Sequence, residues 1–106
     1  MSLARKKCTP CEKGACALPR QQAELMLESL SGWQIDDKWL KKSYKFKNFA
    51  QALAFVNHVG ELAEAENHHP DIGLGWGYVD IRLQTHSVGG LHENDFILAA
   101  KIDAIQ

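Results

Sequence analysis

Residues 71–86, DIGLGWGYVDIRLQTH, decide the fold. Ile72, Leu74 and Trp76 alternate with small residues, and Val79, Ile81, Leu83 and Thr85 alternate again. A period of two is the signature of a β-strand with one buried face. Gly77-Tyr78 between the two runs fits a two-residue turn with glycine first. In that register Trp76 faces Val79, and the apolar sets of both strands share one side of the sheet. Arg82, Gln84 and His86 then lie on the other side, and Gly89-Gly90 break the strand.

Upstream, the period changes from two to that of a helix. Phe49, Ala52, Leu53, Val56, Val59, Leu62 and Ala63 form one apolar stripe. Asn48 with Gln51 resembles a capping box at its start. Pro70 discourages helix beyond Asn67, so this helix spans roughly 49–66. Before it, Trp33–Ile35 and Trp39–Phe46 read as a strand pair joined by Asp36, Asp37 and Lys38. Leu40, Tyr44 and Phe46 share one parity, which marks the buried face. Pro19 suits the first turn of an earlier helix over roughly 20–30, carried by Ala23, Met26, Leu27 and Leu30 and stopped by Gly32.

Downstream, Phe96, Ile97, Ala100 and Ile102 to Ala104 give a last helix over about 93–104. Asp95 falls in its first turn, where the helix dipole favours a carboxylate. His92 stands at the helix entrance. The order α-β-β-α-β-β-α, with hairpin connections, predicts an α+β fold. Its four-stranded antiparallel sheet carries three helices packed on one face.

The chain has 106 residues, enough for one domain, and is 45% hydrophobic, as a globular protein is. Residues 1–18, with Pro10 and Gly14 and no apolar periodicity, read as a flexible leader to a single domain over 19–106. No apolar run approaches the roughly 20 residues that span a bilayer. Arg5, Lys6 and Lys7 are not followed by an apolar stretch, so no secretory signal is read and a cytoplasmic setting is expected. A net charge of −1, from 12 basic and 13 acidic residues, gives no general pull towards nucleic acid or a membrane surface. Lys38, Lys41, Lys42, Lys45 and Lys47 form a local basic run, read as the solvated face of a strand, with phosphate or substrate steering as the other reading. Cys8, Cys11 and Cys16 read as reduced thiols on the leader, against a metal or redox role; a structural zinc wants four ligands. A domain this small, with open sheet edges, is expected to form a homodimer or homotetramer.

The chemistry-bearing residues are histidines. His58 reads as an ordinary helix-face residue. His68 and His69 adjoin where a helix gives way to a loop, and Pro70 fixes the local path. The returning hairpin brings the end of its second strand, and so His86, back towards that pair. Glu64 lies one helical turn before His68 and can orient an imidazole. Three readings stand on spacing alone: surface histidines at a helix end, metal ligands, or an acid–base cluster whose imidazoles exchange protons near neutrality. The spacing lacks the second helical histidine of the zinc-protease pattern.

The combination Glu64-x-x-x-His68-His69-Pro70, an aromatic at Trp76, then Thr85-His86 and Asp95 resembles the pterin-4a-carbinolamine dehydratase family. Gly32-Trp33 and Tyr44-Lys45-Phe46 fit the same pattern, and the likeness covers about residues 20–104. The chain departs from it at His92, where the family often has Ser or Thr, and at Trp76, often Tyr. The resemblance implies a cofactor-free, metal-free elimination of water from a 4a-hydroxytetrahydropterin, in tetrahydrobiopterin recycling beside an aromatic amino-acid hydroxylase. It implies catalysis by His68, His69 and His86, with Glu64 orienting the cluster and Asp95 supporting His86 or the site wall. Pro70, Thr85, Ser87 and Val88 are implied substrate contacts, with Trp33 or Trp76 as a wall for the ring. The alternatives it leaves open are a protein-interaction or dimerisation module, and a pterin-handling role in molybdenum-cofactor metabolism.

Overall fold

A computed structural model describes residues 3–8 and 17–105. The helices are α1 (Arg20–Leu27), α2 (Phe49–Glu66) and α3 (Glu93–Ala104). The strands are β1 (Gln34–Asp36), β2 (Trp39–Lys45), β3 (Asp71–Gly75) and β4 (Tyr78–Leu83). Short 3-10 turns occupy Leu3–Arg5 and His86–Val88. The sheet order is β1-β2-β4-β3, antiparallel throughout, so the expected α+β arrangement is realised.

One face of this sheet carries the core. Leu40 and Tyr44 of β2 and Val79, Ile81 and Leu83 of β4 are buried there. They form a single cluster with Ala23 of α1, Ala52, Phe55 and Val59 of α2, and Phe96, Ala99 and Ile102 of α3. Burial of this apolar surface is the main stabilising term. Among the described residues no helix is long and apolar enough to cross a membrane.

Local details depart from the sequence reading. Leu74 faces Val79 and Gly75 faces Tyr78, so the hairpin turn is Trp76-Gly77, not Gly77-Tyr78. Gly77 takes φ +76° in the second turn position, and a Cβ there would stand 3.0 Å from the carbonyl of Phe46. The slip is two residues, which preserves parity, so Ile72 and Leu74 keep the expected face. β4 lies between β2 and β3. α1 ends at Leu27 rather than near residue 30. The N–H groups of Ser29 and Leu30 reach carbonyls three residues back, at Met26 and Leu27, which tightens the chain out of the α-helix. Asn48 does cap α2, accepting from the N–H of Gln51 at 2.8 Å, but the Gln51 side chain reaches the N–H of Lys47.

Lys42 leaves the solvated lysine run. It has the inward parity of Leu40 and Tyr44, and its ammonium bonds the carbonyl of Ser31 at 2.8 Å and Asp103 at 2.9 Å. Cys11 and Cys16 lie outside the described residues. Leu3–Cys8, part of the stretch expected to be a flexible leader, lies against α3 and the end of α2 through named contacts.

Candidate active site

The site grows from two chain reversals. Asn67 caps the C-terminus of α2 in the left-handed conformation (φ 52°), which asparagine tolerates better than most residues. The N–H of His68 then closes onto the carbonyl of Ala63 at 3.2 Å. The His68 side chain is left 12% exposed. The second reversal follows β4. Thr85 bridges Gly90, and His86–Val88 form a single 3-10 turn between them.

Asp95 joins the two. Its side chain is fully buried. Oδ1 accepts from His68 Nε2 at 2.6 Å, while Oδ2 accepts from the Thr85 hydroxyl at 2.8 Å and from the backbone N–H of His92 at 2.9 Å. A carboxylate out of water is costly unless its lone pairs are satisfied. Here three donors and the N-terminus of α3 satisfy it. His92 completes the helix start, its Nδ1 accepting from the N–H of Asn94 at 3.1 Å. The imidazole thus serves as a cap where the resemblance led one to expect Ser or Thr.

With Asp95 as acceptor, neutral His68 carries its proton on Nε2 and leaves Nδ1 as a free acceptor. Asp95, expected to support His86 or the site wall, bonds His68 and Thr85, the residue before His86. Glu64, expected to orient an imidazole of the cluster, pairs with His69 Nε2. That pair is exposed on both sides, 54% and 79%, and water screens it. His86 is exposed and stands edge-on to Trp39, ring centroids 6.1 Å apart. Arg82 covers the Trp39 ring at 4.2 Å.

Trp39 is the aromatic the sequence reading missed. Its nearness to His86 depends on β2 pairing β4, which no local motif announces. Trp33 and Trp76 are the walls that the resemblance implies. Trp33 is buried with its indole N–H on Asp103 at 3.0 Å. Trp76 is 73% exposed on the β3–β4 turn, at the opposite end of the hairpin from His86. Pro70 and Val88 are half-buried and Ser87 is exposed around the two reversals. Among the described residues no three His, Cys, Asp or Glu side chains are grouped to hold a metal ion. A groove of about 590 Å³ lies on the uncovered sheet face, between Gln34, Lys41, Ser43, Asp80 and Arg82, and no histidine lines it.

Fold and site together define a small α+β protein that presents imidazoles at the open end of a hairpin, one held by a buried carboxylate. The family model described as Pterin 4 alpha carbinolamine dehydratase matches residues 17–105. A protein of Halorhodospira halophila named "Putative pterin-4-alpha-carbinolamine dehydratase" is 55% identical, over 99% of this chain and 98% of its own. A relative of the same name from Methylococcus capsulatus is 51% identical, over 98% of this chain and 93% of its own. The crystal structure of a transcriptional coactivator/pterin dehydratase from Brucella melitensis superposes with a TM-score of 0.80 at 35% identity, covering 84% of this chain and 97% of that one. A pterin dehydratase-like protein identified as a RuBisCO assembly factor in the alpha-carboxysome superposes at 0.57, with 32% identity over 69% of this chain and 84% of that one. The chain belongs to the pterin-4a-carbinolamine dehydratase family.

Proposed function

We infer that this protein dehydrates a 4a-hydroxytetrahydropterin to the quinonoid dihydropterin, and so serves tetrahydrobiopterin recycling in the cytoplasm, downstream of an aromatic amino-acid hydroxylase. The observation that carries the reading is the buried Asp95, which holds His68 and Thr85 at once. Such a carboxylate fixes the tautomer of the imidazole and the direction of its free nitrogen.

The chemistry balances with two imidazoles. The C4a–O bond breaks as the neighbouring ring nitrogen supplies its electron pair to form a C=N bond. That nitrogen loses its proton to a base, and the departing hydroxyl takes a proton from an acid and leaves as water. His68, with Nδ1 free, is the base; His86, held against Trp39, is the acid. His69 binds the pterin beside them. Positioned proton transfers of this kind contribute roughly 10²–10⁴-fold. Thr85 to Val88 and Pro70 offer polar and apolar contacts to the ring edge, and Trp39 replaces Trp33 and Trp76 as the wall. The elimination draws on the pterin's own nitrogen and calls for no metal or organic cofactor. The active unit is a homodimer or homotetramer.

The test is dehydration of a 4a-hydroxypterin by the purified protein with a chelator present. Losses of 10²-fold or more in His68→Ala and His86→Ala are expected. Near-wild-type rates in both variants reject the assignment.

One observation favours a second reading, an interaction module. α2 leaves Phe49 and Leu53 exposed, at 44% and 40%. Relatives named as a coactivator and as an assembly factor make that class of function relevant. Saturable pterin binding supports the enzyme; no binding, with tight association to a protein partner, supports the module.

A further inference from the structure

Residues Leu3–Cys8 precede the stretch matched by the family model, yet they contact the helix ends that carry the site. The Cys8 N–H bonds Glu66 Oε1 at 2.9 Å, and the Cys8 thiol points at the Asn94 carbonyl at 3.6 Å. Glu66 is the last residue of α2, two before His68. Asn94 immediately precedes Asp95.

Two lysines complete the attachment. Lys6 pairs with Glu93 at 2.8 Å, at the first residue of α3. Lys101, two turns along α3, donates to the Ala4 carbonyl at 2.9 Å and lies 3.9 Å from Glu66. The Lys101 and Glu66 side chains are only 16% and 11% exposed, so water screens this pair much less than the surface pairs. The segment therefore ties the C-terminus of α2 to α3.

We propose that Leu3–Cys8 is a positioning brace for the His68–Asp95 pair, holding the two helix ends at the separation their hydrogen bond requires. The proposal rests on the dehydratase reading for its kinetic consequence, but its structural part does not depend on that activity. The physical reason is leverage. His68 follows α2 and Asp95 lies in the first turn of α3, and each is adjacent or nearly adjacent to a braced residue. A shift of about 1 Å between the helix ends is enough to cost orders of magnitude in a positioned proton transfer. Lys6, Cys8 and Lys101 touch no reacting atom and act through the geometry of His68.

The experiment uses the full chain. Lys101→Met removes the bond to Ala4 and the contact with Glu66, and Lys6→Ala removes the second tie. In the double variant kcat is expected to fall about tenfold while KM for the pterin stays within about twofold. Lys101→Arg in the Lys6→Ala background, which keeps a donor for the Ala4 carbonyl, retains most of kcat. Exchange of the His68 Nε2 proton with solvent, followed by NMR, accelerates about tenfold at a temperature where the variant remains fully folded. An unchanged kcat together with unchanged proton exchange overturns the brace. So does a loss of activity that merely tracks the folded fraction. If the wild-type chain shows no dehydration, the dehydratase reading falls, and the proton-exchange rates alone decide the brace.

Discussion

His68 Nε2 donates to Oδ1 of Asp95 at 2.6 Å, and the second oxygen of the same carboxylate holds Thr85 and the start of α3. One buried group thus orients an imidazole and caps a helix. Asp95→Asn disturbs both functions. The amide nitrogen brings donors to a place where three donors already converge. We expect kcat to fall on the order of 10²-fold and stability to fall by about 1–3 kcal/mol. Single-turnover dehydration and urea unfolding measure the two effects separately. An active, equally stable Asp95→Asn protein removes Asp95 from the centre of the site.

The adjacent histidines differ in what holds them. His68 has a buried partner, whereas His69 shares an exposed pair with Glu64. Exposed pairs fix little. Glu64→Gln should therefore change kcat less than about threefold, with stability unaltered within about 0.5 kcal/mol. A loss in Glu64→Gln comparable to that in Asp95→Asn contradicts this asymmetry.

Trp39 is the aromatic partner of His86, with Arg82 on its ring. Trp39→Ala frees the His86 ring without touching the Asp95 hub. We expect a drop in kcat of about tenfold, in line with a misplaced acid–base group. Trp76→Ala, on the distant turn, is expected to leave kcat unchanged. Kinetics of the two variants side by side distinguish the walls; a larger loss from Trp76→Ala restores the sequence-based choice.

These residues also mark how far the sequence carries. The alternation in β3 and β4 gave the right buried face although the turn was misplaced, because a slip of two residues leaves side-chain parity unchanged. His68, His69, Asp95 and Thr85-His86 were all visible as a motif. Their partners were not. Which imidazole Asp95 holds depends on how α3 docks against the end of α2, a contact between residues 27 apart in the chain. Nothing local reveals that Asp103, 70 residues on, binds the indole N–H of Trp33. The docking of Leu3–Cys8 was equally hidden, since that segment shows no apolar period and is held by isolated polar contacts.

The Tyr44–Asp103 pair yields a prediction about alkaline stability. Tyr44 is buried, and its hydroxyl donates to Asp103 at 2.5 Å. Burial first, then the hydrogen bond to Asp103 and the charge of that carboxylate, raise the phenol well above its usual 10. Cys8 is likewise pushed up, from 9.0 to about 12, by burial and then by Glu66. A raised folded pKa means that the folded protein keeps a proton the unfolded chain gives up. The contribution is complete below the unfolded pKa and is lost as pH rises through the window between the unfolded and folded values. Wild-type stability should therefore decline above about pH 9, at up to about 1.4 kcal/mol per pH unit for each group. Tyr44→Phe costs about 1–2 kcal/mol near pH 7, through the lost hydrogen bond to Asp103. The variant has no phenol to ionise, so its deficit against wild type should hold to about pH 10 and shrink between about pH 10 and 12. Urea unfolding of both proteins across that range tests the point, and a deficit that stays constant would show that Tyr44 does not carry the alkaline sensitivity.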